Sequence, residues 1–163
     1  MTNDPQFRVA DVSDADLLLD FMREYYAFDG NGYDREQARA ALIPLLENLN
    51  FGRAWLILDG EIPVGYAVLC FGYSLEWLGR DAFVDEVFLL ENYRNRGWGR
   101  QTMGFLESAA RGLGLRVLHL GVFPENKRAL HLYQKVGFFR HDSTFLSKWI
   151  ATEVSKPKGE HGY

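Results

Sequence analysis

With 163 residues, of which 47% are hydrophobic and 25% charged, the chain has the length and composition of one soluble globular domain. The formal net charge of −4 argues against a nucleic-acid-binding protein, and no apolar run is long enough to span a membrane. The single cysteine, Cys70, excludes an intrachain disulfide framework and predicts a reducing, cytoplasmic location.

The first part of the chain predicts a strand followed by two helices. Residues 6–10 alternate between polar and apolar side chains, as a half-buried strand does. Ser13 is the expected N-cap of an amphipathic helix that ends near the turn cluster at residues 28–32. Asp34 then opens a second helix, which Pro44 should kink or split in two.

Three strands should follow these helices, at residues 53–58, 62–73 and 83–90. Gly65, inside the second of these strands, indicates a bulge or a close approach between backbones. The third strand leads into a glycine-rich turn and then into an amphipathic helix over residues 101–113.

The last part of the chain predicts one more strand, helix and strand. Residues 115–123 are mostly apolar on both faces, which is typical of a buried parallel strand. Asn126 would cap a short helix, and residues 144–150 predict a final strand. We expect residues 1–150 to form the single domain. We expect residues 151–163 to be a disordered tail, because they have little apolar surface to bury.

The turn from Glu91 to Arg100 (ENYRNRGWGR) has the composition of a phosphate site. A turn that opens a helix exposes several backbone N–H groups at the positive end of the helix dipole. Gly97 and Gly99 allow a ligand to approach the backbone, and the arginines add planar donors suited to phosphate oxygens. The Walker A and dinucleotide-binding patterns are excluded, because the lysine of the first and the third glycine of the second are absent. The sequence therefore predicts a pyrophosphate cradle of another kind.

A second motif lies downstream, in the helix that Asn126 would cap. Asn126, Ala129 and Tyr133 fall at positions i, i+3 and i+7, so they share one helix face. The helix is followed by Gly137-Phe138. A cofactor-binding asparagine and a plain helix cap explain Asn126 equally well.

These two motifs, in this order and at this spacing, resemble the acetyl-coenzyme A loop and the second motif of the GNAT family of N-acetyltransferases. The resemblance extends from about residue 7 to residue 150. The segments Val64-Gly-Tyr, Trp77-Leu-Gly and Val84-Asp-Glu are similar to the spermidine/spermine (diamine) and thialysine N-acetyltransferases. In the polyamine enzymes the acidic pair typically reads Glu-Asp, whereas this chain has Asp-Glu.

The resemblance implies a mixed α/β fold with a mostly antiparallel sheet of about seven strands, splayed in the middle, and about four surrounding helices. The splay would admit acetyl-coenzyme A (acetyl-CoA) as the co-substrate, and no metal is implied. The main chain of Val87, Phe88 and Leu89 would pair with the pantetheine arm. The other cofactor-binding residues would be Arg94, Asn95, Arg96, Gly97, Trp98, Gly99, Arg100 and Asn126. A homodimer formed through residues 138–150 is also implied.

Acetyl transfer to an alkylamine, whose pKa is about 10, needs a group that removes a proton from the ammonium. Asp85 and Glu86 could attract the cation and take this proton, and as neighbours in a strand they should point to opposite faces. By position, Asp85 matches the base proposed for the polyamine branch, and Glu86 matches its substrate-binding acid. The side chain of glutamate reaches further than that of aspartate, which slightly favours Glu86 as the base. Both stay candidates, with a solvated or salt-bridged strand-end acid as the structural alternative.

Tyr133 would act as the general acid that protonates the departing thiolate, because its phenol keeps a proton at neutral pH. A tyrosine packed in the core is the structural alternative.

The acceptor pocket should combine aromatic faces with carboxylates, which suit an amine cation. The candidates are Tyr25, Tyr26, Asp29, Tyr73, Glu76 and Trp77. Cys70 lies mid-strand among apolar residues without a histidine partner, so we expect a buried structural thiol rather than a nucleophile. The histidines lack metal-ligand spacing, so no metal site is predicted.

The leading interpretation is an enzyme that transfers acetyl from acetyl-CoA to a primary amine by direct attack in a ternary complex. The acceptor would be a small cationic amine, either a polyamine or an amino-acid-like amine. A peptide N-terminus or lysine side chain is the alternative acceptor. A non-catalytic acyl-CoA-binding or sensor domain is the alternative from another class, and Tyr133 with the acidic pair argues against it, because a pure binder needs neither. No nucleic-acid or membrane partner is expected.

Overall fold

The computed structural model describes residues 4–150, which form one mixed sheet with helices on both of its faces. The strands are β1 (Gln6–Val9), β2 (Gly52–Asp59), β3 (Ile62–Ser74), β4 (Gly79–Leu89) and β5 (Val117–His119). The helices are α1 (Ala15–Phe28), α2 (Arg35–Glu47), α3 (Trp98–Gly112) and α4 (Lys127–Lys135). The strands lie in chain order, antiparallel from β1 to β4 and parallel between β4 and β5. The predicted α/β class with a mixed, mostly antiparallel sheet is confirmed.

The described residues form five strands rather than about seven. The strand predicted over residues 115–123 is shortened to Val117–His119, and the one predicted over residues 144–150 is absent. Apolar side chains of that last segment, among them Phe145 and Leu146, are exposed. An apolar pattern alone does not make a strand, because the backbone also needs a ladder partner. The predicted tail, residues 151–163, lies outside the described residues.

Helix α1 begins after a capped 3₁₀ turn, so the prediction of Ser13 as its N-cap was wrong. The Asp11 carboxylate accepts the N–H of Ser13 at 2.8 Å, and the Asp14 carboxylate accepts the N–H of Asp11 at 3.0 Å. This reciprocal pair satisfies backbone N–H groups at the start of the turn. A hydrogen bond from Arg8 at 2.7 Å holds the pKa of Asp14 below its ordinary value.

Pro44 lies inside α2, which continues through the proline as one helix. Of the two predicted outcomes, a kink or a split in two, the split does not occur. The carbonyl of Pro44 accepts the N–H of Asn48 at 2.9 Å, so the helical bonding continues beyond the proline. A proline removes one helical hydrogen bond. Burial of Leu42 and Leu46, on either side of it, stabilises the helix against that loss.

Two apolar clusters cover the two faces of the sheet. The face covered by α1 and α2, called here the α1 face, has buried residues that include Phe21, Leu42, Tyr66 and Phe88. The opposite face, called the α3 face, has buried residues that include Trp55, Leu69, Val84 and Leu106. Membership of one cluster or the other therefore shows which face a side chain of β4 occupies.

Gly65 lies beside a bulge and at a close approach between strands, and both features were among the predictions for it. The pairing of β2 with β3 slips by one residue next to Gly65 and leaves Val64 without a partner. A Cβ built on Gly65 would lie 2.1 Å from the carbonyl oxygen of Phe88 on β4. No side chain fits at this position without moving the backbone of β4.

Strands β4 and β5 separate after a short parallel contact. Their pairing joins residues 81–83 to Val117–His119, and no described strand pairs with this edge of β4 beyond Phe83. The splay predicted in the middle of the sheet is therefore confirmed, and it leaves this edge of β4 unpaired by any described strand over the second half of β4.

Candidate active site

A one-residue bulge in β4 sets the geometry of the acidic pair. Leu69 pairs with Val84 and Val68 pairs with Glu86, so Asp85 has no partner on β3. In a regular strand, side chains alternate between the two faces with a period of two. The extra residue of a bulge interrupts this alternation.

Asp85 and Glu86 therefore lie on the same face of the sheet, and the prediction that they point to opposite faces was wrong. Val84 and Val87, which flank the pair, both pack on the α3 face. Glu86 is hydrogen-bonded to a tyrosine of α1. Asp85 lines one cavity together with Cys70, whose side chain packs on the α1 face, and the two groups shift each other's pKa. The bulge thus places two carboxylates side by side on the α1 face.

The Glu86 carboxylate is held by two phenols. Tyr26 of α1 donates to its Oε1 at 2.7 Å, and Tyr66 of β3 donates to its Oε2 at 2.8 Å. Burial raises the pKa of Glu86, and the two hydrogen bonds oppose that rise because they favour the charged form. Tyr66, which is 1% exposed, was missed by the sequence analysis. It pairs with Phe88, a relation between strands that no local pattern reveals.

Asp85 lines a cavity of about 1240 Å³ together with Cys70 and Tyr133. The side chain is accessible from the cavity, yet the surrounding protein removes part of its hydration and so raises its pKa. The Cys70 thiol acts in the opposite direction. Burial raises the pKa of Cys70 to about 12, so the thiol stays neutral. A neutral thiol is a poor nucleophile, in keeping with the structural role predicted for Cys70.

Tyr133, on α4, is half-buried in the wall of the same cavity. Its ring packs edge-on against Phe138, with the ring centres 6.0 Å apart. Burial raises the pKa of Tyr133, so the phenol is protonated at neutral pH. The predicted cap of this helix is confirmed, since the Asn126 side chain accepts the N–H of Ala129 at 3.1 Å.

Three of the predicted acceptor residues gather around Glu86 at the end of α1. The rings of Tyr25 and Tyr26 meet edge to face with their centres 5.6 Å apart. Burial raises the pKa of Tyr25, and the charge of Asp29, the residue after α1, raises it further. Asp29 also raises the pKa of Glu86 by charge repulsion. The α1 face therefore holds three neighbouring carboxylates among aromatic rings.

The other three predicted acceptor residues divide into two groups. Glu76 and Trp77 line the cavity onto which Asp85 opens. The ring of Trp77 lies 5.5 Å from that of His119, which forms an ion pair with Asp81 when protonated. Tyr73 is 73% exposed and does not line this cavity.

The arginine-rich turn ends in a left-handed glycine directly before α3. Asn95 and Gly97 have φ angles of +65° and +83°. The N-cap, Gly97, makes no side-chain cap, and the first N–H groups of α3 have no acceptor within the helix. A Cβ on Gly97 would meet nothing within 4 Å, so the space beside this glycine is open. This is the geometry of an anion site at a helix N-terminus.

Several side chains of the turn contact protein groups instead of facing this opening. Arg94 donates from Nε to a backbone carbonyl of β4 at 2.7 Å, and its guanidinium lies 4.5 Å from the ring centre of Phe28. Trp98 is 3% exposed, so its indole anchors α3 in the core. Asn95 accepts a hydrogen bond from Arg128 of α4. Contacts of these side chains with a cofactor stay predictions.

Val87, Phe88 and Leu89 lie on the part of β4 that β5 leaves unpaired. The side chains of Phe88 and Leu89 are buried, so these residues can contact an extended ligand along this edge through their main chain. An unpaired strand edge of this kind binds extended ligands by adding them as a further strand.

Residues 4–150 contain no group of three or more His, Cys, Asp or Glu side chains arranged to hold a metal ion. Among the same residues, no helix is both long and apolar enough to cross a membrane.

Residues 16–138 match the model of the acetyltransferase (GNAT) family. The chain is also similar to thialysine N-epsilon-acetyltransferase of Bos taurus, with 33% identity over 56% of this chain and 52% of the relative. It spans about half the length of the curated relatives that it matches.

Two solved structures share the fold. An integron cassette protein from the mobile metagenome of Cole Harbour Salt Marsh has a TM-score of 0.80 and 31% identity, covering 90% of this chain and 91% of that one. The aminoglycoside N-acetyltransferase AAC(6')-Iy in complex with CoA has a TM-score of 0.75 and 14% identity, covering 90% and 95%. At that identity, the second likeness concerns the fold alone.

Proposed function

Because the chain belongs to the acetyltransferase (GNAT) family, we propose that it transfers an acetyl group from acetyl-CoA to the primary amine of a small, cationic acceptor. The observation that carries this proposal is the carboxylate pair on one face of β4, beside the unpaired edge of the same strand. The edge would hold the acyl donor, and the pair would hold the amine.

The unpaired edge and the arginine-rich turn fit acetyl-CoA in two ways. The main chain of Val87, Phe88 and Leu89 would pair with the extended pantetheine arm, as an added strand does. The N–H groups of the turn and of the first turn of α3, from Asn95 to Arg100, would bind the pyrophosphate. Asn126 already caps α4, so it would reach the cofactor only through atoms that the cap leaves free.

The chemistry needs three proton transfers around one bond exchange. The ammonium loses a proton to the acidic pair, Asp85 and Glu86, which makes the nitrogen lone pair available. The nitrogen attacks the thioester carbonyl, the C–N bond forms and the C–S bond breaks. Tyr133 gives its phenolic proton to the leaving thiolate, and the second proton that the nitrogen loses as the amide forms restores the phenol. Holding both reactants in line contributes to the rate as well.

A small cationic acceptor is supported by the charge and aromatic content of the α1 face. Three carboxylates there, Asp29, Asp85 and Glu86, attract an ammonium group, and the rings of Tyr25 and Tyr26 present faces that suit a cation. The relative from Bos taurus is named for an epsilon-amino acceptor, which supports an amino-acid-like amine.

An amine panel tests this proposal. Purified protein would be mixed with acetyl-CoA and with polyamines, lysine-like amino acids, or peptides, and release of free thiol would be followed. We expect turnover to be fastest with the small diamines and amino acids. Faster turnover with peptides would indicate that the acceptor is a peptide N-terminus or a lysine side chain. Tight CoA binding without turnover on any amine would favour the sensor interpretation.

We expect Gly97→Ala to weaken CoA binding about tenfold, because an L side chain at φ +83° costs roughly 1–2 kcal/mol and the turn would relax away from its cradle geometry. Isothermal titration calorimetry with CoA measures this change. Gly114→Ala is the matched control, since Gly114 has a φ of +71°, also has open space and follows the other end of α3. Equal affinities for the two variants would contradict the cradle.

We also propose a homodimer and a cytoplasmic location. Exposed apolar side chains in residues 138–150, including Phe139, Phe145 and Leu146, support an interface between two copies of the chain. The single cysteine supports a reducing compartment. A monomeric mass in sedimentation equilibrium at micromolar concentration would contradict the dimer, and fractionation of cells tests the location.

A further inference from the structure

We propose that Tyr26 and Tyr66 are positioning residues that orient the Glu86 carboxylate for the acceptor's ammonium group and favour its charged form. This inference rests on the proposed acetyl transfer to an amine. It adds Tyr66, a residue with no predicted role. The two phenols together are called here the tyrosine clamp.

The clamp is built from two different elements and closes on both oxygens of one carboxylate. Tyr26 reaches Oε1 from α1 at 2.7 Å, and Tyr66 reaches Oε2 from β3 at 2.8 Å. Both distances are in the normal range for an O–H donor and a charged oxygen. Tyr66 is 1% exposed and packs among Phe21 and Phe88, so its ring has no room to turn away.

The hydrogens of the clamp determine the state of Glu86. A phenol that donates to a carboxylate oxygen favours the ionised form of that carboxylate. With one such donor on each oxygen, protonation of Glu86 would weaken both hydrogen bonds, because a carboxylic acid is a poorer acceptor than a carboxylate. The clamp therefore favours the charged form of Glu86 against the effect of burial and fixes the direction of its carboxylate.

Asp85 has a different environment although it is the adjacent residue. The donor beside it is the thiol of Cys70, which is a weak hydrogen-bond donor. Its carboxylate opens onto the cavity that Tyr133 also lines. Two carboxylates this close disfavour each other's charge, and Asp85 raises the pKa of Glu86, so the clamp opposes this repulsion as well as the effect of burial.

The titration of Glu86 depends on every ionisable group that faces it. From α1 and the residue after it these are Tyr25, Tyr26 and Asp29, from β3 they are Tyr66 and Cys70, and from β4 it is Asp85. Burial keeps the Tyr66 phenol and the Cys70 thiol neutral at physiological pH, and the carboxylates of Asp85 and Asp29 raise the pKa of Glu86.

Replacing Tyr66 with Phe removes one clamp donor and keeps the buried ring. Without that donor the charged form of Glu86 is less favoured, so its pKa rises. We expect the acid limb of the pH profile of kcat/KM for a diamine acceptor to move up by about one pH unit. The titration of the Glu86 carboxyl carbon, followed by ¹³C NMR and assigned with Glu86→Gln, should move by the same amount. Tyr26→Phe should move both in the same direction and serves if Tyr66→Phe does not fold.

Tyr33→Phe is the matched control. The Tyr33 hydroxyl donates to the carbonyl of Leu19 at 2.8 Å rather than to Glu86, and its ring packs against that of Tyr26 with the ring centres 6.0 Å apart. We expect this variant to lose stability but to keep both the pH profile and the Glu86 titration of the original chain.

Each result separates the clamp from the proposed function. An unchanged Glu86 titration in both clamp variants would overturn the clamp. A shifted titration with an unchanged pH profile would overturn the role of Glu86 in acceptor binding. A shifted titration in a protein that acetylates no amine would support the clamp and contradict acetyl transfer, because the NMR readout does not depend on turnover.

Discussion

Replacing Tyr133 with Phe should lower kcat about a hundredfold or more while leaving the Kd of CoA nearly unchanged. In the proposed acetyl transfer the departing thiolate needs a proton, and the half-buried Tyr133 phenol is protonated at neutral pH. The ring packs edge-on against Phe138, and a phenylalanine keeps that contact. The loss should therefore fall on the chemical step, which single-turnover kinetics measures directly.

The acyl donor supplies the control for this prediction. A thioester whose thiol is more acidic leaves without help, so the deficit of Tyr133→Phe should shrink with such donors. The same deficit with every donor would indicate a structural defect rather than a lost acid. Unchanged kcat with acetyl-CoA would remove Tyr133 from the mechanism.

Gly65→Ala should lower the free energy of unfolding by about 3 kcal/mol or more. The new methyl group would overpack a contact between strands in which no flexible side chain can move aside. The new Cβ would lie 2.1 Å from the carbonyl oxygen of Phe88 and 3.1 Å from the Cα of Leu89. Both are backbone atoms, so β3 and β4 would have to separate. Urea denaturation followed by circular dichroism measures the change in the free energy of unfolding.

Gly104→Ala is the matched control for this loss of stability. Gly104 lies in the middle of α3, is exposed and has nothing within 4 Å of an added Cβ. We expect a gain of roughly 0.5–1 kcal/mol there, because alanine favours a helix interior. A loss at Gly104 as large as that at Gly65 would contradict the role of the close strand approach.

Much of the fold and of the candidate site could be predicted because its signals are local in the chain. The cap at Asn126 and the helix after it depend on residues within one turn of each other. The glycine turn before α3 is local in the same way, since Gly97 provides the left-handed backbone on its own. Local hydrogen bonds and local backbone conformations favour particular residue types at particular positions, so they can be recognised in the sequence.

The orientation of the acidic pair could not be predicted, because it depends on another strand. The bulge at Asp85 exists only in the pairing of β4 with β3. The neighbouring residues Leu69 and Val68 of β3 pair with Val84 and Glu86, so Asp85 between them is left without a partner. A strand that alternates in sequence contains no sign of such a bulge. Tyr66 was missed for the same reason, as its contact with Glu86 joins residues 20 positions apart.

For the arginine-rich turn, the sequence could not show in which direction each side chain points. Composition alone indicates that Arg94 and Trp98 lie beside a phosphate site. In the structure, Arg94 stacks on Phe28 from α1 and Trp98 fills the core. Both contacts join the turn to elements that are distant in sequence, so they follow from packing and not from the local pattern.

The short contact between β4 and β5 affects how the molecule opens. Strands β1 to β4 form a continuous antiparallel ladder, whereas β5 is joined to it through residues 81–83. The segment that carries β5 and α4 should therefore detach at a lower free energy than global unfolding requires. A ligand bound along the open edge of β4 would complete the ladder and raise that free energy. The ligand would thus serve as a structural strand of the fold and would couple the segment of β5 and α4 more tightly to the rest of the domain.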